Sequence, residues 1–340
     1  MLNPRGLSRI INPSSPGSCS LDGSILSRGR LVDIVGIEAQ GERATFLPEF
    51  GFHCLSYKVS SLDVVAGPVD IGDLRTHPFR SGIPILFPFP GRIADGRFSY
   101  RSHDHQLTIN EPERGNAIHG LVYDCAFTVT RRGPFYVRAE FDSSQCPHLR
   151  LAWPWPFMFA VDYEVGNGLR CKISVTNTGD SPMPMALGVH PYFHAPLNGL
   201  GLRDAMQIQA GAQRYWRLGP RMLPTGEIST ARGRLDLGKP TALAGNSYDD
   251  VMLVSRSAQE APIARLIDPA MRIAVELHAD AAFRELVVYA PAGREVVAFE
   301  PYTAAPDCFN LAARGIDAGM IELEPGARFE ASFEIRVSAL

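Results

Sequence analysis

The chain has 340 residues, 45% of them hydrophobic, and a formal net charge of -3. That length supplies one large domain or two ordinary ones, with enough apolar residues to bury a sizeable core. The small charge argues against a dedicated nucleic-acid binder, and no run of about 20 apolar residues is present to span a membrane.

Residues 1–28 are rich in Ser, Pro and Gly and read as a flexible extension. Asn12, Pro13, Ser14, Ser15 and Pro16 interrupt any apolar run there, so no signal peptide is indicated. Beyond them period-two patterns dominate. Phe157, Phe159, Val161, Tyr163 and Val165 alternate with smaller or polar residues. So do Cys171, Ile173 and Val175, then Met271, Ile273, Val275 and Leu277, then Phe329, Ala331, Phe333, Ile335 and Val337. Side chains of a strand alternate faces, so each run predicts a strand with one buried face. Frequent Gly and Pro supply turns. No long amphipathic helix is indicated; 304–315 has room for a short helical turn. The reading is an all-β protein, an antiparallel β-sandwich or barrel, forming one domain over 29–340.

Trp153 and Trp155, in Leu151-Ala152-Trp153-Pro154-Trp155-Pro156-Phe157, fit either a pocket wall or a cap on the core where a strand begins; the routine burial of Trp favours the cap. The six cysteines, at 19, 54, 125, 146, 171 and 308, form no C-x-x-C pair. They read as reduced thiols of a cytoplasmic protein, neither a disulfide framework nor a zinc site.

Three places combine into an acid–base set without a nucleophile. Glu300 ends the apolar stretch Glu295-Val296-Val297-Ala298-Phe299, and Pro301 and Pro306 after it are expected to fix the turn that presents it. Apolar surroundings raise a carboxyl pKa, which suits a general base near neutrality. His119 lies in Asn116-Ala117-Ile118-His119-Gly120, between a glycine-rich turn and a strand. His190 follows Met185-Ala186-Leu187-Gly188-Val189 and leads into Pro191-Tyr192-Phe193. Histidine titrates near neutrality and so donates or accepts protons. Taken singly, each histidine reads more readily as a partly buried one with a backbone partner.

Together with Phe87-Pro88-Phe89-Pro90-Gly91-Arg92-Ile93, these motifs give the chain a resemblance to the aldose 1-epimerase (galactose mutarotase-like) family over roughly residues 30 to 340. The resemblance implies a large antiparallel β-sandwich with an open sugar-binding cleft. It implies Glu300 as the general base at the anomeric hydroxyl and His190 as the general acid at the ring oxygen. His119 matches a second histidine beside that oxygen, and Arg92 an arginine that binds sugar hydroxyls. A family aspartate is matched by Ser247-Tyr248-Asp249-Asp250-Val251, with Asp249 the better fit and Asp250 one residue away. Leu121 stands where many members carry glycine and Gly91 where asparagine is common, features closer to a bacterial subgroup less tied to galactose.

Anomer interconversion removes a proton from O1 and delivers one to the ring oxygen, so an acid and a base on opposite sides of the sugar are expected to suffice. No cofactor, metal or nucleotide is called for: there is no glycine-rich phosphate loop and no G-x-S-x-G elbow. The expected partner is a small sugar. Nothing in the sequence speaks to oligomeric state.

Other signals carry less. His103-Asp104-His105 has metal-ligand spacing but sits in a polar hairpin context. Cys308 reads as a small packing residue. His194 fits the cleft or solvent equally. His77 and Arg80 are placed to reach the cleft. A phosphorylated hexose would require further arginines, for which Arg75, Arg80, Arg97 and Arg101 are candidates. A non-catalytic sugar-binding protein of the same fold is disfavoured by the intact acid–base set.

Overall fold

The computed structural model describes residues 23–27, 30–199, 201–255 and 261–340. The N-terminal extension expected over 1–28 lies almost entirely outside these residues. Within it, Gly23–Ser27 forms a strand paired with Arg30–Ala39.

Every strand pairing is antiparallel among the described residues, as frequent turns between period-two runs require. A nine-stranded sheet runs in the order Thr128–Arg132, Tyr136–Asp142, Phe157–Glu164, Leu169–Asn177, Arg328–Ala339, Ile273–Ala279, Ala264–Asp268, Gln207–Ala210 and Thr241–Ala242. A second sheet runs Pro224–Thr230, Ala212–Leu218, Tyr248–Val254, Glu285–Ala290, Val296–Tyr302, Gly188–Val189 and Ile85–Leu86, with Tyr192–His194 also pairing to Val296–Tyr302. Arg30–Ala39, Glu42–Leu47 and His53–Val59 belong to a smaller meander.

The alternating runs explain the core. Phe157, Phe159, Val161 and Tyr163 are buried on one face of their strand, as are Cys171, Ile173 and Val175 on the next. Removing each such side chain from water contributes about 1.5–3 kcal/mol. Phe87 inserts between Phe157 and Phe159, with ring centroids 4.9 and 5.0 Å away. The segment leading to Arg92 is thereby anchored in the main core. On the opposite face, cross-strand pairs such as Lys172–Glu330 at 2.9 Å complement charge and contribute little each.

Some local expectations shift. Met271 falls in the turn before its strand, which begins at Ile273. Arg272 between them has φ 56°, so the pleat starts only after it. Glu300 lies inside a strand that continues through Pro301 and Tyr302, not at its end. The helical turn expected within 304–315 is the helix Cys308–Ala313. Trp153 is fully buried against Phe98 and Phe309, and Trp155 packs on Tyr100 and His105, so both tryptophans belong to the core. Cys54, Cys125, Cys146, Cys171 and Cys308 are buried thiols that form no disulfide among the described residues, and Cys19 lies outside those residues. No helix among the described residues is long and apolar enough to cross a membrane.

Candidate active site

Register alone brings the acid and base candidates together. The strand Val296–Tyr302 sets Tyr302 against Gly188 and Ala298 against Tyr192. His190, midway between those partners, therefore stands opposite Glu300. Side chains two apart in a strand share a face. Glu300 and Tyr302 consequently project from the same side as Val287 and Tyr289 of the neighbouring strand and Asp249 and Val251 of the next. All six line one cleft of about 540 Å³.

At its floor His190 Nε2 lies 3.2 Å from Glu300 Oε1. The Tyr302 hydroxyl donates a short hydrogen bond to Glu300 Oε2. Tyr192 stacks on the His190 ring at 4.4 Å, and its hydroxyl oxygen is 3.2 Å from His190 Nε2. That hydroxyl donates to the Phe79 carbonyl at 2.6 Å. Burial is nearly complete: His190 is 4% exposed and Glu300 3%. Burial holds Glu300 well above the ordinary carboxylate range, and Asp249 adds to the effect. Burial likewise pushes His190 well below an ordinary histidine, helped by His119.

Gly188 is dictated by this arrangement. A Cβ there would meet Tyr302 Cδ1 at 2.5 Å and Pro90 Cβ at 2.6 Å, so the Tyr302 ring lies flush on bare backbone. Thr303 then ties the two chain segments, its Oγ1 accepting from the Leu187 amide at 2.8 Å.

His119 follows directly on the strand Asn116–Ile118, with φ 65°, a left-handed conformation costing about 1–2 kcal/mol for a residue bearing a Cβ. Its amide donates to the Gly91 carbonyl at 2.8 Å. The ring packs on Phe79 at 4.8 Å and edge-on to His190 at 5.4 Å. Its buried Nδ1 meets no protein partner. Burial, then the Arg92 charge, lowers its pKa to about 3, so it is a neutral imidazole at physiological pH.

Arg92 pairs with Ile118 in a two-stranded ladder, which explains how motifs far apart in sequence share one wall. Glu111, buried and unsuspected from the sequence, holds the guanidinium: Arg92 Nε donates to its two oxygens at 2.9 and 3.1 Å and an Nη donates at 3.0 Å. Arg114 and Asn116 also donate to Glu111, each at 2.8 Å. The glutamate motif reaches the same wall, with Asp307 Oδ1 accepting from the Ala94 amide at 3.0 Å.

Asp249 and Asp250 project to opposite faces. Asp250 is held by Arg234 through two hydrogen bonds of 2.6 and 3.0 Å, whereas Asp249 lines the cleft. Burial raises the Asp249 pKa, against the opposing pull of Arg92.

Glu300, His190, His119, Arg92 and Asp249 thus all border one cavity. His190 and Glu300, the acid and base candidates, are neighbours on one wall, whereas the sequence reading expected an acid and a base on opposite sides of a sugar. His77, Arg75 and Arg80 line the mouth, while Arg97 binds Gln106 and Arg101 binds Glu322 elsewhere. His194 does not line the cleft, and the His105 ring is stacked between Phe98 and Trp155. Tyr192 and Tyr302 were present in the motifs without a role, although the repeated histidine-Pro-Tyr and glutamate-Pro-Tyr order was a readable signal.

The family model described as Aldose 1-epimerase matches residues 33–336. The Escherichia coli (strain K12) protein YihR is 26% identical over 242 residues, covering 70% of this chain and 74% of that protein. A galactose mutarotase-like protein from Clostridium acetobutylicum superposes with TM-score 0.85 at 22% identity, over 91% of this chain and 96% of that one. Galactose 1-epimerase from Lactobacillus acidophilus NCFM gives TM-score 0.72 at 15% identity, over 92% and 96% of the two chains.

Proposed function

The chain belongs to the aldose 1-epimerase family, and from that premise we propose that it interconverts the α- and β-anomers of a free aldose, with residues 29–340 acting as one domain. The observation that carries this reading is the buried His190–Glu300 pair, 3.2 Å apart at the floor of an open cleft. In the working form of the pair Glu300 is ionised and His190 is the imidazolium: Glu300 takes the proton from O1, His190 Nε2–H protonates the ring oxygen as the C1–O5 bond breaks, and His190 is left a neutral imidazole. One proton has then passed from His190 to Glu300 through the sugar. Rotation about C1–C2 exposes the other carbonyl face, and reclosure returns the proton. Arg92 and Asp249 bind hydroxyls, and His119, a neutral imidazole, binds beside the ring oxygen. A protein that only bound sugar would have no use for an acid and a base desolvated at this cost.

Polarimetry on freshly dissolved α-D-glucose and α-D-galactose tests the reading, with wild type beside Glu300→Gln. Acceleration by wild type only supports it. No acceleration of any aldose in a panel by wild type rejects it.

A second reading, a sugar carrying an anionic group, is favoured by one observation. Arg80 at the mouth is exposed and engages no carboxylate among the described residues, and its carbonyl accepts from Arg294, which engages none among them either and acts electrostatically on His190 and Tyr192. Hexose 6-phosphates in the same panel separate the two readings.

A further inference from the structure

The cleft does not end at Asp249. A second cavity of about 430 Å³ opens beside it, and Leu218 and Asp249 border both. We propose that this cavity is a second glycosyl subsite, so that the substrates include reducing disaccharides. Their reacting unit lies over His190 and Glu300, and their other unit, joined through the far side of that ring, lies beyond Asp249. This rests on the anomer-interconversion reading above and names a substrate class within it.

Sheet geometry gives the cleft a direction. Across its floor come His190, then Glu300, then the strand of Val287 and Tyr289, then that of Asp249 and Val251, then that of Leu218. Asp249 stands two strands and two residues from Glu300, roughly 12 Å between Cα atoms at ordinary strand spacing. A pyranose with O1 at Glu300 and hydroxyls at Asp249 spans that line. Its position 4, across the ring from C1, then lies on the Leu218 side. The acid–base pair is at one end of the line and the second cavity at the other.

Register makes the cavity as well. Pairing between Ala212–Leu218 and Tyr248–Val254 ends at Tyr215–Met252. Past that pair the gap between Trp216–Leu218 and Asp249–Asp250 is the cavity. Gly219 and Met222, in the hairpin tip that follows Leu218, form a further wall. Arg221 holds that tip in place. Its Nε donates to the Arg114 carbonyl at 2.7 Å, and an Nη donates to the Gly115 carbonyl at 2.6 Å and to Asp95 at 2.9 Å. Asn116 donates back to the Arg221 carbonyl at 3.1 Å. The wall is thereby fixed to the segment that carries Glu111, the partner of Arg92.

The chemistry of the cavity suits a neutral sugar. Tyr215, Met222 and Leu235 supply aromatic and apolar surface, and Arg234 and Asp250 supply hydrogen-bonding edges. Arg234 is bound to Asp250, and Arg217 to Glu227 at 3.4 Å, so both arginines at this cavity are balanced by a carboxylate. Nothing there calls for an anionic group, in contrast to Arg80 at the mouth.

Polarimetry on matched sugars tests this: glucose beside maltose and cellobiose, and galactose beside 4-linked galactobiose. Two variants outside the acid–base site probe the cavity. Tyr215→Ala removes aromatic surface. Gly219→Phe adds bulk at a position where a Cβ meets Leu223 O at 3.8 Å and nothing closer. For at least one disaccharide, wild-type kcat/KM should equal or exceed that of its monosaccharide. Each variant should lower that disaccharide value about fivefold or more, through KM, and leave the monosaccharide within about twofold. Disaccharides that wild type does not accelerate overturn the subsite and, where a monosaccharide is accelerated, leave the anomer-interconversion reading standing. Variants that affect mono- and disaccharides alike do the same. If no sugar is turned over, calorimetry with the same three disaccharides decides. Binding that wild type shows and both variants lose upholds the subsite and rejects the function; no binding, or binding that both variants keep, rejects both.

Discussion

His190 and Glu300 face each other across a gap in a β-ladder. Strand pairing holds on both sides of them, at Gly188–Tyr302 and Tyr192–Ala298, and each is followed by a proline that has no amide to give. The His190–Glu300 contact is thus a cross-strand pair, set by register as any such pair is. A slip of one residue would send Glu300 to the opposite face and dismantle the site.

Removing either partner should end catalysis without unfolding the protein. Glu300→Gln and His190→Asn keep shape while deleting the proton acceptor and donor. Each should slow anomer interconversion by about 10²–10⁴-fold. Sugar binding by calorimetry should persist, and thermal melting should occur no lower than in wild type, since Glu300→Gln removes a desolvated carboxyl. Near wild-type rates in both variants would refute the assigned roles.

The pH–rate profile follows from the directions of the two shifts. The productive form carries one proton on the pair. Below the depressed His190 value a second proton is bound, and above the raised Glu300 value none remains. The acid limb should therefore lie below that of an ordinary histidine and the alkaline limb well above that of an ordinary carboxylate. The result is a broad plateau across neutrality whose limbs belong to the pair. A narrow optimum with an acid limb at an ordinary histidine value would contradict this geometry.

Gly188→Ala tests the packing beneath Tyr302. The new methyl meets Tyr302 Cδ1 at 2.5 Å, so the ring or the strand must move. Overpacking of this kind costs about 1–3 kcal/mol, measurable by denaturant unfolding. Because the displaced ring carries the hydroxyl bound to Glu300, activity should fall in parallel, and the alkaline limb of the pH profile should move up as Glu300 loses a donor to its charged form. An unchanged profile would show that the ring accommodates the methyl.

Glu285 offers a stability prediction away from the chemistry. It is fully buried, and burial, only partly offset by Arg284, pushes its carboxyl up to about 8. A folded pKa above the unfolded value means the native state holds a proton that the unfolded state has released. The resulting stability is present below the unfolded value near 4.5 and is lost as pH rises through 8. Glu285→Gln should therefore stabilise the protein by about 2–4 kcal/mol at pH 9 and by much less at pH 5. Equal effects at both pH values would count against a buried, protonated Glu285.

Much of the fold was legible because alternation is local. Phe157 through Val165 and Phe329 through Val337 announce strands through their own side chains, and the structure places strands there. Met271 misled because a turn residue with positive φ follows it, something hydrophobic alternation does not encode. Glu111 was invisible for a different reason. A glutamate among prolines and charges reads as surface until the ladder at Arg92–Ile118 brings a guanidinium onto it.

The sequence by itself determined the strands and, through its motifs, the family, and it supplied the candidate acid, base and binding residues. Those depend on residue type and short spacing. Only the tertiary structure decided that His190 and Glu300 are neighbours, that Asp249 and not Asp250 enters the cleft, and that the Tyr192 and Tyr302 hydroxyls turn back on His190 and Glu300. Those relations depend on register between distant strands and on which atoms are left dry. Both come from the long-range packing of two sheets, which no local stretch of chain contains.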